Sequence, residues 1–143
     1  MKVKFVLLII GIFLPVLLSG FLLQPNSPPP NTIELKVVKI NNVWRVIDAT
    51  DPKIKEIKAH KKDTIIWTVE GTNASFQFPE GLFDPVGSAD SLTNGYTKFI
   101  KNGKKLKLKI KGNVLSGTYE YAVFCTKDGV FARGYSPPKI IIK

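Results

Sequence analysis

The chain has 143 residues, enough for one ordinary domain and a short extension. It is basic, with 21 Lys and Arg against 11 Asp and Glu and a net charge of +10. A single cysteine excludes an internal disulfide, and a single histidine, His60, leaves no second imidazole for a catalytic or metal-binding pair.

Residues 5 to 23, FVLLIIGIFLPVLLSGFLL, form an apolar run preceded by Lys2 and Lys4. That order of charged and apolar regions marks residues 1–23 as a signal peptide or a single-pass membrane anchor. At 19 residues the run is long enough to cross a bilayer as a helix, while Leu18-Ser19-Gly20 offers a cleavage point. No cysteine lies near Gly20, which excludes a lipid-modified anchor. The N-terminal lysines favour the cytoplasmic side for Met1 to Lys4. The reading predicts an exported domain, held outside the cytoplasm by the anchor, or periplasmic or secreted if the leader is cleaved. Residues 24–32, QPNSPPPNT, are predicted to be an extended Pro-rich linker.

Residues 33–143 form the predicted domain, with a charge balance of +8. Short β-branched and aromatic runs alternate with turn signals and no helical period emerges, so the domain is expected to be all-β. Strands are predicted at Ile33 to Ile40 and Val43 to Ile47, joined by an Asn41-Asn42 turn. Ile54 to Ala59 and Thr64 to Val69 flank His60-Lys61-Lys62-Asp63, and Phe76 to Pro79 follows with both phenylalanines inward and Gln77 outward. Glu80 to Gly95 is expected to be a surface excursion rather than a core element. Tyr96 to Ile100 and Leu106 to Ile110 are predicted to form a hairpin about Asn102-Gly103. Lys105, Lys107, Lys109 and Lys111 alternate with Leu106, Leu108 and Ile110, a period of two that puts the lysines on a solvent face. Such a face suits acidic lipid headgroups, an anionic polymer or an acidic envelope protein, and equally suits solubility and protection of a sheet edge. Nucleic acid is not an expected partner, because the leader exports the domain and no aromatic platform interleaves with the lysines. Residues Lys139 to Lys143, after Ser136-Pro137-Pro138, supply the final strand.

The segment from Ser116 to Lys143 contains Gly117-Thr118-Tyr119-Glu120-Tyr121 and then Cys125. This Gly-Thr-Tyr-x-Tyr-x-x-x-Cys run resembles the last strands of a cupredoxin of plastocyanin-like type. The resemblance implies a Greek-key β-sandwich of about seven to eight strands, with one tyrosine making a corner hydrogen bond. In that family the cysteine thiolate binds copper with two histidines and usually a methionine. Here Asp128 stands three residues after Cys125 and Arg133 eight after it, where histidine and methionine are expected. The other histidine position falls near Ala74 or Ser75, His60 belongs to the opposite end of a six-residue strand about 20 Å long, and Met1 lies in the leader. A binuclear copper centre of the cytochrome oxidase subunit II kind needs a second cysteine that this chain lacks.

The expected product is therefore a non-catalytic cell-envelope binding or structural module with a degenerate copper site and no cofactor. The alternative is a copper-binding or electron-transfer protein using Cys125 with non-family ligands such as Asp128. Cys125 reads either as a buried small hydrophobe or as a thiolate activated by Lys127 or Arg133. Asp128 and Arg133 are predicted to pair as a staple across the vacated loop. An enzyme is not expected, since no Ser-His-Asp set or phosphate loop can be assembled.

Overall fold

The computed structural model describes residues 27–54, 56–134 and 137–143; the predicted leader and its hydrophobic helix lie outside them. Among these residues every regular element is a strand: β1 Thr32–Ile40, β2 Val43–Asp48, β3 Ile57–Ala59, β4 Thr64–Val69, β5 Ala74–Gln77, β6 Thr97–Ile100, β7 Lys105–Lys109, β8 Gly117–Glu120, β9 Ala122–Cys125, β10 Val130–Phe131 and β11 Lys139–Ile142. They make a β-sandwich, the fold class expected. One layer is the sheet β2-β1-β4-β7, with β1 parallel to β4; the sheets β10-β9-β5-β6 and β3-β11-β8, continuous in the chain from β8 through Tyr121 to β9, are taken together as the second.

Period-two alternation builds the core between the layers. Leu35 and Val37 of β1, Ile65, Trp67 and Val69 of β4 and Leu106 and Leu108 of β7 point inward from the first layer. Ala74, Phe76, Val123, Cys125, Ile140 and Ile142 meet them from the second. Each large aliphatic side chain fully removed from water contributes about 1.5–3 kcal/mol. Trp67 sits at the centre, with its ring centroid 5.2 to 5.9 Å from those of Phe76, Phe78, Phe83 and Tyr121.

The local chemistry explains most turns. Asn41 and Asn42 take φ of 49° and 62°, the left-handed pair that closes a two-residue hairpin between β1 and β2. Asp63, 2% exposed, accepts the His60 and Asn31 amides at 2.7 and 2.8 Å, which ties the end of the linker to the turn before β4. Lys62, in that turn, has φ of 71°, a conformation glycine adopts without strain. Lys62→Gly is therefore expected to raise stability by about 0.5–1 kcal/mol, read as a higher urea midpoint at unchanged slope. A lower midpoint would mean that the Lys62 stem, which runs close beside Gly112, contributes more than the strain it imposes. Tyr119 provides the expected corner bond, its Oη donating to the Leu115 carbonyl at 2.7 Å.

Three expectations are corrected. Asn102-Gly103 forms its turn, with Lys104 N–H donating to Lys101 at 3.0 Å, but it carries the chain from β6 in one layer to β7 in the other and is no hairpin. Gly103 and Lys104 instead bond to Val69 at the end of β4. The excursion Glu80 to Gly95 is also more than surface, because Leu82 and Phe83 are buried and Phe83 packs edge-on against Trp67 and Phe78. Its backbone and side chains cap the open edge of β7: Asp90 and Ser88 accept the Lys107 and Lys109 amides at 2.7 and 2.8 Å, and Asp84 N–H donates to Lys109. Finally, β3 is confined to Ile57–Ala59, since Ile54 N–H closes a turn onto Asp51 and its side chain is exposed.

Candidate functional site

The end of the sandwich after β4 holds the residues singled out around Cys125. Register in the β5–β9 ladder places Ala74 directly opposite Cys125, and both are fully buried. Ser75, one residue on, points the other way, opposite Phe124 and Phe99. Cys125 leads into a hairpin: it pairs with Val130 across the four residues Thr126 to Gly129, Gly129 taking φ of 64°. The stretch in which a cupredoxin-like pattern expects ligands is here a short hairpin.

Hydrogen bonds tie three loops together at this end. Thr126 N–H donates to the Asn73 carbonyl at 3.0 Å, and Lys127 N–H to Thr72 Oγ1 at 3.2 Å. The Thr72 hydroxyl donates to the Asn73 carbonyl at 2.7 Å, Asn102 N–H to Asn73 Oδ1 at 2.8 Å, and Gly71 N–H to Asn102 Oδ1 at 2.7 Å. Asp128 makes a different staple from the one predicted. Its Oδ2 accepts Lys39 Nζ and Trp44 Nε1, both at 2.6 Å, and Lys39 Nζ lies 5.7 Å from the Trp44 ring centroid. Arg133 is exposed, and its backbone bonds to Trp44 and Val46 in a bridge beside Arg45. The Asp128 to Arg133 pair is not made, because the β1–β2 hairpin brings a lysine and an indole donor to the carboxylate first.

These contacts have a pH signature. The bonds from Lys39 and then Trp44 hold the Asp128 carboxyl below its usual range. A depressed folded pKa stabilises the fold above the ordinary aspartate value and loses that contribution as pH falls through the lowered one. Acid titration of stability should therefore be shallower in Asp128→Asn than in the parent. Equal slopes would show that the staple contributes nothing.

Cys125 follows the buried reading. Burial, and after it the Asp128 charge, pushes its thiol up to about 11, opposite to activation by Lys127 or Arg133. Native chain at pH 8 should resist alkylation and react fully once unfolded, with mass spectrometry as the readout. Rapid native labelling would overturn the assignment.

The donor set does not fit a type 1 copper ion, which needs two imidazoles beside the thiolate. His60, the chain's one histidine, stands in the β3–β4 turn, its Nδ1 3.7 Å from Asp63 Oδ2. Among the described residues no three His, Cys, Asp or Glu side chains cluster as a metal site. Lys105 and Lys107 are exposed and Lys109 and Lys111 half-buried, on the edge strand of the first layer and just beyond it.

One feature escaped the sequence reading. Phe131, Phe124, Ser75 and Phe99 are successive partners across β10, β9, β5 and β6, so they form one row on the outer face of the second layer. Phe131 and Phe99 are 62% and 51% exposed, Phe124 and Phe131 meet edge-on at 5.2 Å, and the row lines an open groove. The signal was present: an inward Cys125 forces Phe124 outward.

No protein-family model matches the chain, and no curated protein matches it. Among solved structures, an oxidized mutant of amicyanin aligns at 16% identity over 78% of this chain and 82% of that one, with a TM-score of 0.43. A Cu(I) amicyanin mutant aligns at 14% identity over 78% and 82%, with a TM-score of 0.42. A reduced Cu(I) amicyanin mutant at pH 4 aligns at 12% identity over 82% and 85%, with a TM-score of 0.39.

Proposed function

We propose that this domain is a non-catalytic binding module of the cell envelope, cupredoxin-like in build, whose type 1 copper site has given way to an apolar seal and a hydrogen-bonded clasp. The observation that carries the binding role is the row in which exposed Phe131 and Phe99 flank the half-buried Phe124. Contiguous exposed aromatic surface is costly on a soluble domain and marks a contact site. Its partner on this reading is an envelope protein with an apolar patch, since aromatic side chains supply large contact area at small entropic cost. The seal is Ala74 against Cys125, and the clasp is the Thr72, Asn73, Asn102 and Thr126 network.

The test is site-specific photo-crosslinking in envelopes. A crosslinker at Phe131 or Phe99 should give the same adduct from both positions, none from Lys105 on the opposite layer, and loss of the Phe131 adduct in Phe99→Ser. Adducts independent of position would remove the proposal. Cu(II) added to the purified chain should give no blue charge-transfer band; a band lost in Cys125→Ala would restore copper.

A further inference from the structure

The linker leaves the domain beside a cluster of lysines that the fold assembles from two separate segments. Pro30, at the end of the linker, shares an open groove with Lys62, Lys107 and Lys109. Lys62 comes from the β3–β4 turn, while Lys107 and Lys109 come from β7. Asn31 is fixed there by Asp63 Oδ1 and by Thr64 N–H donating to its carbonyl at 2.9 Å, so the exit point does not wander. Lys61 and Lys111 extend the cluster in sequence.

Among the described residues none of these five ammonium groups makes an ion pair within 4 Å. The nearby carboxylates make backbone bonds: Asp63 accepts the His60 and Asn31 amides, Asp90 the Lys107 amide, and Asp84 the Val86 amide while also feeling the charges of Lys109 and Lys111. Lys62 moreover holds its charge at a left-handed backbone position where glycine is the unstrained residue. Strain kept at a residue is a pointer to function when its side chain joins a coherent surface.

From this geometry we infer that the linker end of the sandwich, through Lys62, Lys107 and Lys109, docks on anionic lipid headgroups of the membrane that holds the apolar leader. The inference rests on the reading of residues 1–23 as an anchor. It deepens the lysine-face reading by choosing lipid over polymer or protein, and two observations favour that choice. The segment from Gln24 to Asn31 has eight residues, four of them proline, and spans about 25 Å when extended at ~3.1 Å per residue. The basic end is thus held within a few Debye lengths of the bilayer at about 8 Å each. The charge is also complementary, since clustered lysines beside a membrane segment are attracted to an anionic surface one by one. The phenylalanine row lies on the other layer and toward the far end, so a domain docked this way leaves it free for a protein.

The experiment uses the full chain reconstituted into vesicles of phosphatidylcholine alone and of phosphatidylcholine with phosphatidylglycerol. Amine acetylation rates are then read lysine by lysine by mass spectrometry. At low ionic strength, rates at Lys62, Lys107 and Lys109 should fall about fivefold in the anionic vesicles, and recover at 1 M salt, where screening acts over ~3 Å. Lys127, about 20 Å away along β4, should not change. In a chain carrying Lys62→Glu, Lys107→Glu and Lys109→Glu, its fold checked by circular dichroism, protection of Lys61 and Lys111 should disappear. Equal rates in the two vesicle types, or equal protection of Lys127, would overturn the inference. So would protection by soluble polyphosphate with none by vesicles, which would assign the surface to a free polyanion. Flotation with neutral vesicles reads anchorage separately. A chain that fails to float loses its anchor reading, while the lysine comparison still decides docking.

Discussion

Trp67→Ala is expected to destabilise the domain by about 3–5 kcal/mol, the largest effect of any single truncation in this core. Trp67 is fully buried and touches rings from the opposite layer and from the excursion, so its loss opens a cavity that no one element can close. Its Nε1 also donates to Tyr121 Oη at 3.1 Å, and burial has already raised the Tyr121 pKa by disfavouring the phenolate. Removing the indole leaves that buried hydroxyl without its donor. Against a total stability of about 5–15 kcal/mol, the variant stands at the margin of folding. Urea denaturation followed by circular dichroism checks this, and Trp67→Phe should recover part of the loss. A midpoint shift worth less than about 1 kcal/mol would show that the layers repack freely.

Phe83→Ala should cost about 2–4 kcal/mol, although it stands in a segment without regular structure. Its ring centroid lies 4.9 Å from that of Phe78 and 5.9 Å from that of Trp67, and the loop behind it holds the β7 edge. Val86, three residues on and 93% exposed, provides the internal control: Val86→Ala should change stability by no more than about 0.5 kcal/mol. The pair separates an excursion that is part of the core from one laid over it. Similar small effects at both positions would restore the surface reading. Hydrogen exchange at the Lys107 and Lys109 amides should accelerate in Phe83→Ala alone, because those amides are held by Asp90 and Ser88.

Strands and their faces were legible in the chain wherever alternation was regular. Thr64–Val69 and the Asn41-Asn42 hairpin came out as expected, because β-branched alternation and a two-residue asparagine turn act locally. What sequence could not supply was the layer to which each strand belongs. Asn102-Gly103 has the chemistry of a hairpin turn, yet Ile100 and Leu106 enter the core from opposite layers, and that choice is made by packing around Trp67. Leu82 and Phe83 were hidden for the opposite reason, as two apolar residues among glycine and proline give no period to read. At the candidate site, the burial of Cys125 was legible from alternation, and the strand register sets Ala74 opposite it. The partner of Asp128 was not, because Lys39 and Trp44 are more than 80 residues away in the chain.

The last strand, β11, is seated between β3 and β8, parallel to one and antiparallel to the other. A chain emerging amino end first during synthesis thus has an empty slot in its second layer until residues 139 to 142 arrive. Until then Ile57 and Ala59 lack Ile140 and Ile142 as neighbours, and two strand edges stand open. Folding of this domain is therefore committed at its finish rather than its start, and the interval before β11 seats is when it most needs protection from association with other chains.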